Sequence, residues 1–105
     1  MQFINIPYDR GIRLVEAHNI IRVEGQSNYS KIYFTSGYPM TVAKILHWFE
    51  DKLPEEMFAR VHRRHLVNKL FIHEISGAGF KTLVLINGES IAMSRRKKLT
   101  AIPNS

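Results

Sequence analysis

The chain has 105 residues, 45% of them hydrophobic, and its 15 Lys and Arg against 9 Asp and Glu give a formal net charge of +6. This length predicts one domain over residues 1–105, and the absence of cysteine excludes disulfide frameworks, thiolate zinc sites and cysteine nucleophiles. No apolar run approaches the roughly 18 residues of a membrane span, and the first seven residues are too polar for a signal peptide, so we expect a cytoplasmic protein without a membrane partner.

The first forty residues predict short strands. Between residues 4 and 22 the apolar side chains come in brief, β-branched bursts divided by turn formers, and residues 20–24 are the strongest strand. Residues 31–35 alternate polar and apolar side chains as a half-buried strand does, and the polar residues 25–30 suit a loop between the two strands. A turn at Ser36-Gly37 leads into a returning strand at residues 38–40, and Pro39 within it cannot donate a ladder hydrogen bond, which predicts an edge position for this strand.

One helix is predicted after that strand. Thr41 is a plausible N-cap and Pro54 ends the helix. Trp48 falls beside the apolar face, where a partly buried packing role is expected. The face itself is formed by residues at helical spacing: Val42, Ile45, Leu46, Phe49 and Leu53.

The remainder of the chain again predicts strands. Residues 66–75 suggest one strand with a bend near Asn68, and a glycine-rich turn follows at residues 77–79. Residues 81–86 and 90–93 predict a hairpin closed by Asn87-Gly88, a pair that suits a type I′ turn. The predicted fold is mostly β, with many short strands and one helix.

Two basic groups dominate the second half of the chain. The first, Arg60, Arg63 and Arg64, has no carboxylate from residue 57 to residue 71, so the sequence predicts no local counter-ion and favours a polyanionic partner. The second comprises Arg95, Arg96, Lys97 and Lys98. Alone it suits a solvated tail, but the preceding hairpin could bring it near the first group, and together they could follow a phosphate backbone.

The polar residues 26–31 form a third candidate. Asn28 and Gln26 can pair with adenine, Ser30 can donate or accept, and Lys31 can bind phosphate or guanine. Composition alone favours an ordinary hairpin loop here. An enzyme is disfavoured: His62 and His65 lie three residues apart, which on one extended strand points their rings to opposite faces. We expect no catalytic site, metal or cofactor.

Four segments together resemble LytTR-type DNA-binding domains, which occur in bacterial response regulators. The central one is F-x-R-x-H-x-x-x-x-V-N at residues 58–68. The strand and Asn28-Tyr29 at residues 20–29, the helix ended by Pro54, and G-x-x-I-x-x-S-R-R at residues 88–96 accompany it. The resemblance implies an elongated, mostly-β domain of about ten short strands in three small sheets with one short α-helix. It also implies sequence-specific binding of double-stranded DNA by loops that enter successive major grooves and bend the duplex.

Carried over by position, the family's base-contacting loop falls on residues 28–31, with Ser30 at a variable position. The intermediate contact falls on Arg63, beside His62, and the second groove contact on Arg96. Phe58, Val61, Val67 and Asn68 are expected to be structural. The full set of expected DNA-binding residues is Asn28, Ser30, Lys31, His62, Arg63, Arg64, Arg95, Arg96 and Lys97.

The resemblance also raises the question of partners. Family members usually carry a receiver or membrane module upstream, so a signal would come from an upstream sensor or receiver partner. We expect no receiver domain in this chain, which is either free-standing or a piece of a longer regulator. Two copies on a repeated DNA site, forming a homodimer on DNA, are expected. The alternative function is a basic protein-interaction or non-specific single-strand nucleic-acid-binding module.

Overall fold

The computed structural model describes residues 2–94, apart from the side chain of Phe80. Within this range ten strands form three antiparallel sheets, and the domain measures 44 × 29 × 22 Å, which confirms the predicted elongated, mostly-β fold. The elements are β1 (Phe3–Tyr8), β2 (Gly11–Glu16), β3 (Ile20–Gln26), β4 (Tyr29–Phe34), β5 (Met40–Val42), α1 (Leu46–Lys52), β6 (Phe58–His62), β7 (His65–Asn68), β8 (Ile72–Ser76), β9 (Thr82–Leu85) and β10 (Ser90–Ala92).

The central sheet has five strands in the order β5-β4-β3-β7-β6. Strands β1 and β2 form a hairpin, and β10-β9-β8 form a third sheet. Alternation along the central strands separates two cores. Val23 and Leu66 pack with α1 and the β1–β2 hairpin, whereas Ile21 and Val67 pack with Leu83 and other residues of the third sheet. The central sheet is therefore covered on both faces.

The helix is shorter than predicted. Thr41 and Val42 belong to β5, where Val42 pairs with Ser30, so Thr41 is not the N-cap. Ile45 holds that position with an extended backbone and is 52% exposed. A buried strand residue and a helix residue can occupy the same place in an apolar pattern, which explains the error. The predicted end before Pro54 is confirmed, as is the packing role of Trp48, whose ring meets Phe49 edge-on at 4.9 Å.

Residues 66–75 form two strands rather than one. Strand β7 lies in the central sheet and β8 in the third, with a 3-10 turn at Lys69–Phe71 between them. Buried Asn68 holds this turn, because its side chain donates to the Ile20 carbonyl at 3.0 Å and accepts from the Leu70 N–H at 2.9 Å. A structural role for Asn68 agrees with these contacts.

Two turn predictions have different outcomes. The β9–β10 hairpin is confirmed, but its type I′ turn is wrong, since Gly88 has a φ of 92° while Asn87 has no positive φ. The turn is closed by a hydrogen bond from the Gly88 N–H to the Leu85 carbonyl at 2.9 Å. Of Asn87 and Gly88, the glycine alone has the left-handed conformation. The edge position of the strand predicted at residues 38–40 is confirmed, because β5 is the terminal strand of the central sheet and pairs with β4 alone within residues 2–94, although it begins only at Met40.

Arg22 joins the central sheet to the third sheet. Its side chain is 7% exposed, lies 3.8 Å from the Tyr33 ring centre, and pairs with Glu24 at 2.9 Å and with Glu89 at 2.8 Å. Hydrogen bonds from Arg22 lower the pKa of both carboxyls. Burial opposes the charge of Arg22 itself, but the two carboxylates outweigh that effect and raise its pKa.

We expect Glu89→Gln to lower the free energy of unfolding by about 1 kcal/mol at pH 7, because a partly exposed, charge-assisted pair is lost. The folded-state pKa of Glu89 lies below its ordinary value of 4.5, so this stabilisation is complete above that value and disappears as pH falls through the folded pKa. Urea unfolding at pH 7 and pH 3 measures the change, with Glu55→Gln at an exposed site as control. A gap between wild type and variant that stays constant over this range would contradict the assignment.

Candidate nucleic-acid interface

Two tight turns lie side by side at one end of the central sheet. Ser27-Asn28 closes the β3–β4 hairpin and Arg63-Arg64 closes the β6–β7 hairpin. Because β3 and β7 are antiparallel neighbours, the Gly25 N–H donates to the Arg64 carbonyl at 2.9 Å. The structure thus brings Asn28 together with Arg63 and Arg64. We call this region the turn end.

The polar loop predicted at residues 25–30 is shorter than expected. Strand β3 continues through Gln26, and β4 begins at Tyr29, so only Ser27 and Asn28 form the turn. Ser27 has a φ of 55°, and both turn residues are exposed. Asn28 therefore projects from a turn that is anchored by ladder hydrogen bonds on both sides.

Ser30 is wrongly predicted as a DNA-binding residue. It is 0% exposed, and its hydroxyl donates to the Lys44 carbonyl at 2.7 Å. Its neighbour Lys31 points to the other face of β4, as strand alternation requires, and is half-buried with its ammonium 5.5 Å from the Tyr33 ring centre. Lys31 remains available at the surface, whereas Ser30 holds β4 to the segment before α1.

The three arginines of the first basic group differ in their partners. The side chains of Arg63 and Arg64 are exposed and make no ion pair within residues 2–94. Arg60 pairs with Glu50 of α1 at 2.9 Å, so the predicted absence of a counter-ion is wrong for this residue. The partner, Glu50, lies outside the window of residues 57–71. It reaches Arg60 because α1 packs beside the β6–β7 hairpin.

Arg60 also holds the second turn in place. Its guanidinium donates to the His62 carbonyl at 3.1 Å and to the Arg63 carbonyl at 2.6 Å. One side chain thus connects α1 to the backbone that carries Arg63. The sequence signature contains Arg60, but its positioning role was missed, since only the tertiary contacts show it.

His62 and His65 face each other across the β6–β7 hairpin. Their ring centres are 5.3 Å apart, so the prediction of opposite faces is wrong, because the turn places them on two paired strands. The His62 Nδ1 accepts from the Arg64 N–H at 3.1 Å, which ties its half-buried ring to the turn. Burial lowers the pKa of His65. Residues 2–94 contain no group of three potential metal ligands among His, Cys, Asp and Glu.

The second basic group, including Arg95, Arg96 and Lys97, lies outside the described residues. The chain leading to it is positioned by two backbone contacts. The Met93 N–H donates to the Lys81 carbonyl and the Ser94 N–H to the Val61 carbonyl, both at 2.8 Å. Ser94 therefore lies beside β6, whose following turn carries Arg63.

Comparison with known proteins identifies the family. Residues 10–100 match the family model described as the LytTr DNA-binding domain. The chain belongs to this family. Membership confirms the resemblance and assigns the LytTR domain to DNA-binding transcriptional regulation rather than to a known enzyme family.

A solved structure shows the same fold. It is described as the LytTr DNA-binding domain of a response regulator from Bacillus cereus, is 24% identical, and superposes with a TM-score of 0.72 over 90% of this chain and 87% of that chain. No curated protein sequence matches the chain. Of the helices in the described range, none is long and apolar enough to cross a membrane.

We expect Ser30→Ala to lower the free energy of unfolding by about 1–2 kcal/mol, because the hydrogen bond from the buried Ser30 hydroxyl to the half-buried Lys44 carbonyl is lost. Thermal or urea unfolding checks the loss, and far-UV circular dichroism checks that the fold is kept. Ser36→Ala, at an exposed position, is the matched control and should change stability by less than about 0.5 kcal/mol. Equal stability of the two variants would show that the Ser30 contact is dispensable.

Proposed function

We propose that this LytTR domain is a sequence-specific regulator that binds double-stranded DNA by inserting turns and loops of its β scaffold into successive major grooves. The observation that carries the proposal is the placement of Arg63 and Arg64, unpaired within residues 2–94, beside the exposed turn that carries Asn28. Unpaired guanidiniums suit phosphates or guanine, and an exposed carboxamide suits adenine. The arrangement combines positioning contacts with a group able to discriminate bases.

The spacing of the two turns fits one groove and its rim. Strands in a sheet lie about 4.8 Å apart, so the centres of two adjacent hairpins are about 10 Å apart. The major groove is about 12 Å wide. With Asn28 inside the groove, Arg63 and Arg64 reach the phosphates at the edge of the groove. Lys31, on β4, approaches the phosphates of the same DNA strand.

The other expected contacts extend the footprint. His62 supports the Arg63-Arg64 turn through the hydrogen bond to the Arg64 N–H, so its contribution to DNA binding is positional. Arg96 is proposed for the second groove, with Arg95 and Lys97 on phosphates. Support comes from the Ser94 contact with β6, which starts this segment on the side of the sheet that carries the Arg63-Arg64 turn.

The scaffold favours tight binding because the backbone of the contacting turns is already ordered before DNA binds. Two-residue turns between paired strands have few accessible conformations, and Arg60 fastens the Arg63 backbone to α1. A recognition surface that is ordered before binding loses less conformational entropy on DNA. We further propose two copies on a repeated site and a signal from an upstream sensor or receiver partner, in keeping with the small footprint of one domain.

A second candidate function rests on Tyr29, which is 42% exposed directly beside Asn28. An exposed ring next to unpaired arginines can stack on an unpaired base, so a non-specific single-strand binding module would use the same surface. The two functions differ in what they require of the DNA: a particular duplex sequence in one case, and accessible bases in the other.

We expect the wild-type domain to prefer its selected duplex over scrambled duplex and over single strands by about a thousandfold or more. The duplex is obtained by selecting bound sequences from a random pool, and affinities are measured by fluorescence anisotropy at several salt concentrations. Specific and non-specific complexes should both weaken with salt, since phosphate contacts release counterions. Similar affinities for all three DNAs would instead support the single-strand module.

We expect Arg63→Ala and, separately, Arg96→Ala to weaken binding of the selected duplex by about 1–3 kcal/mol, with unchanged melting temperatures. The same anisotropy assay and thermal melts on the same samples provide the measurement. Lys69→Ala is the control, because Lys69 follows β7 at the opposite end of the central sheet. If Arg63→Ala bound as tightly as Lys69→Ala, the turn end would not be the DNA-binding surface.

A further inference from the structure

A third turn lies at the turn end. Asp9 and Arg10 connect β1 to β2, with Tyr8 and Gly11 as the last strand pair before the turn. This turn and the end of β5 line one cleft: Pro7, Tyr8, Asp9, Arg10, Gly11, Thr41, Val42 and Ala43. Because Val42 pairs with Ser30 at the start of β4, the β1–β2 turn lies on the same side of the domain as Asn28.

The three turns form a row along this end. The β1–β2 turn is next to edge strand β5, the Ser27-Asn28 turn is in the middle, and the Arg63-Arg64 turn is near the opposite edge, β6. With strands about 4.8 Å apart, β5 and the Arg63-Arg64 turn are separated by roughly 17 Å. At 3.4 Å between successive phosphate positions along the axis, that is about five base pairs of duplex.

The conformation of the β1–β2 turn is unusual. Asp9 has a φ of 49° and Arg10 a φ of 65°, so both lie in the left-handed region. Asp tolerates this region, whereas the Cβ of Arg crowds the following carbonyl oxygen there and strains the backbone. A glycine at position 10 would remove the strain, yet the position carries a long cationic side chain.

Arg10 has no counter-ion in the described part of the chain. Its side chain is exposed, and no carboxylate of residues 2–94 pairs with it, including that of Asp9. In this respect it matches Arg63 and Arg64 and differs from Arg22 and Arg60, whose carboxylate partners fix them within the domain. An exposed cation at the end of this row of turns is accessible to a phosphate.

We propose that Arg10 binds a DNA phosphate at the end of the footprint opposite the Arg63-Arg64 turn. The inference rests on the proposed function and deepens it, since it extends the contacts past the Ser27-Asn28 turn, so that they span about five base pairs from the Arg63-Arg64 turn to the β5 side. Asp9, adjacent in the turn, opposes the phosphate electrostatically. The pair therefore sets the strength of the distal contact: Arg10 raises it and Asp9 limits it.

The test uses anisotropy with the selected duplex and four variants. Arg10→Gln should weaken binding about three- to tenfold and reduce the slope of log affinity against log salt by about one. Arg10→Gly should weaken binding similarly while raising the melting temperature, because backbone strain is relieved. Asp9→Asn should strengthen binding about two- to threefold without disturbing the left-handed turn, which Asn tolerates. Lys69→Gln, the matched loss of one charge at the opposite end, should bind as wild type does.

A shortened duplex adds a second readout. Trimming base pairs from the side contacted by the β1–β2 turn should remove the difference between wild type and Arg10→Gln, whereas trimming the other side should preserve it. If Arg10→Gln bound like Lys69→Gln on every duplex while Arg63→Ala still weakened binding, the Arg10 inference would be overturned and the proposed function would stand. A wild-type domain without preference for duplex over single strands would overturn both.

Discussion

The pairing of β3 with β7 is the constraint on which the rest of the domain depends. Strand β3 is the middle strand of the five-stranded sheet and β7 is its neighbour, and each supplies apolar side chains to both cores, as Val23 and Ile21 do from β3. Their register also determines the surface, because the hydrogen bond from Gly25 to Arg64 aligns two hairpin turns at one end. A register slip of one residue would reverse every side chain on the shifted strand and would separate the turns.

Five arginines of residues 2–94 divide into two kinds by their surroundings. Arg22 and Arg60 are partly or fully buried and are held by carboxylates, so their charges are already compensated and serve architecture. Arg10, Arg63 and Arg64 are exposed on two-residue turns, and none of them pairs with a carboxylate in residues 2–94. A net positive charge attracts a polyanion to a particular surface only when the cations without carboxylate partners lie on one side of the domain.

Rigidity and recognition are linked at the turn end. The turns are short, they continue directly into paired strands, and Arg60 connects the Arg63 carbonyl to α1 through Glu50. Gly25 permits the close approach of Leu46, whose Cβ would lie 3.2 Å from any added side-chain carbon. Packing beneath the turns thus restricts how the exposed side chains can move, and the folding free energy of the core supports the geometry of the surface.

The sequence by itself determined the mostly-β class, the edge strand after Pro39, the end of the helix at Pro54 and the family, because each is encoded by local patterns or a contiguous signature. Only the tertiary structure decided the start of α1, the burial of Ser30 and the Glu50 partner of Arg60. These depend on which strands become neighbours. Two residues far apart in the chain come into contact only after the sheet has formed, and no local sequence pattern indicates that they will be neighbours.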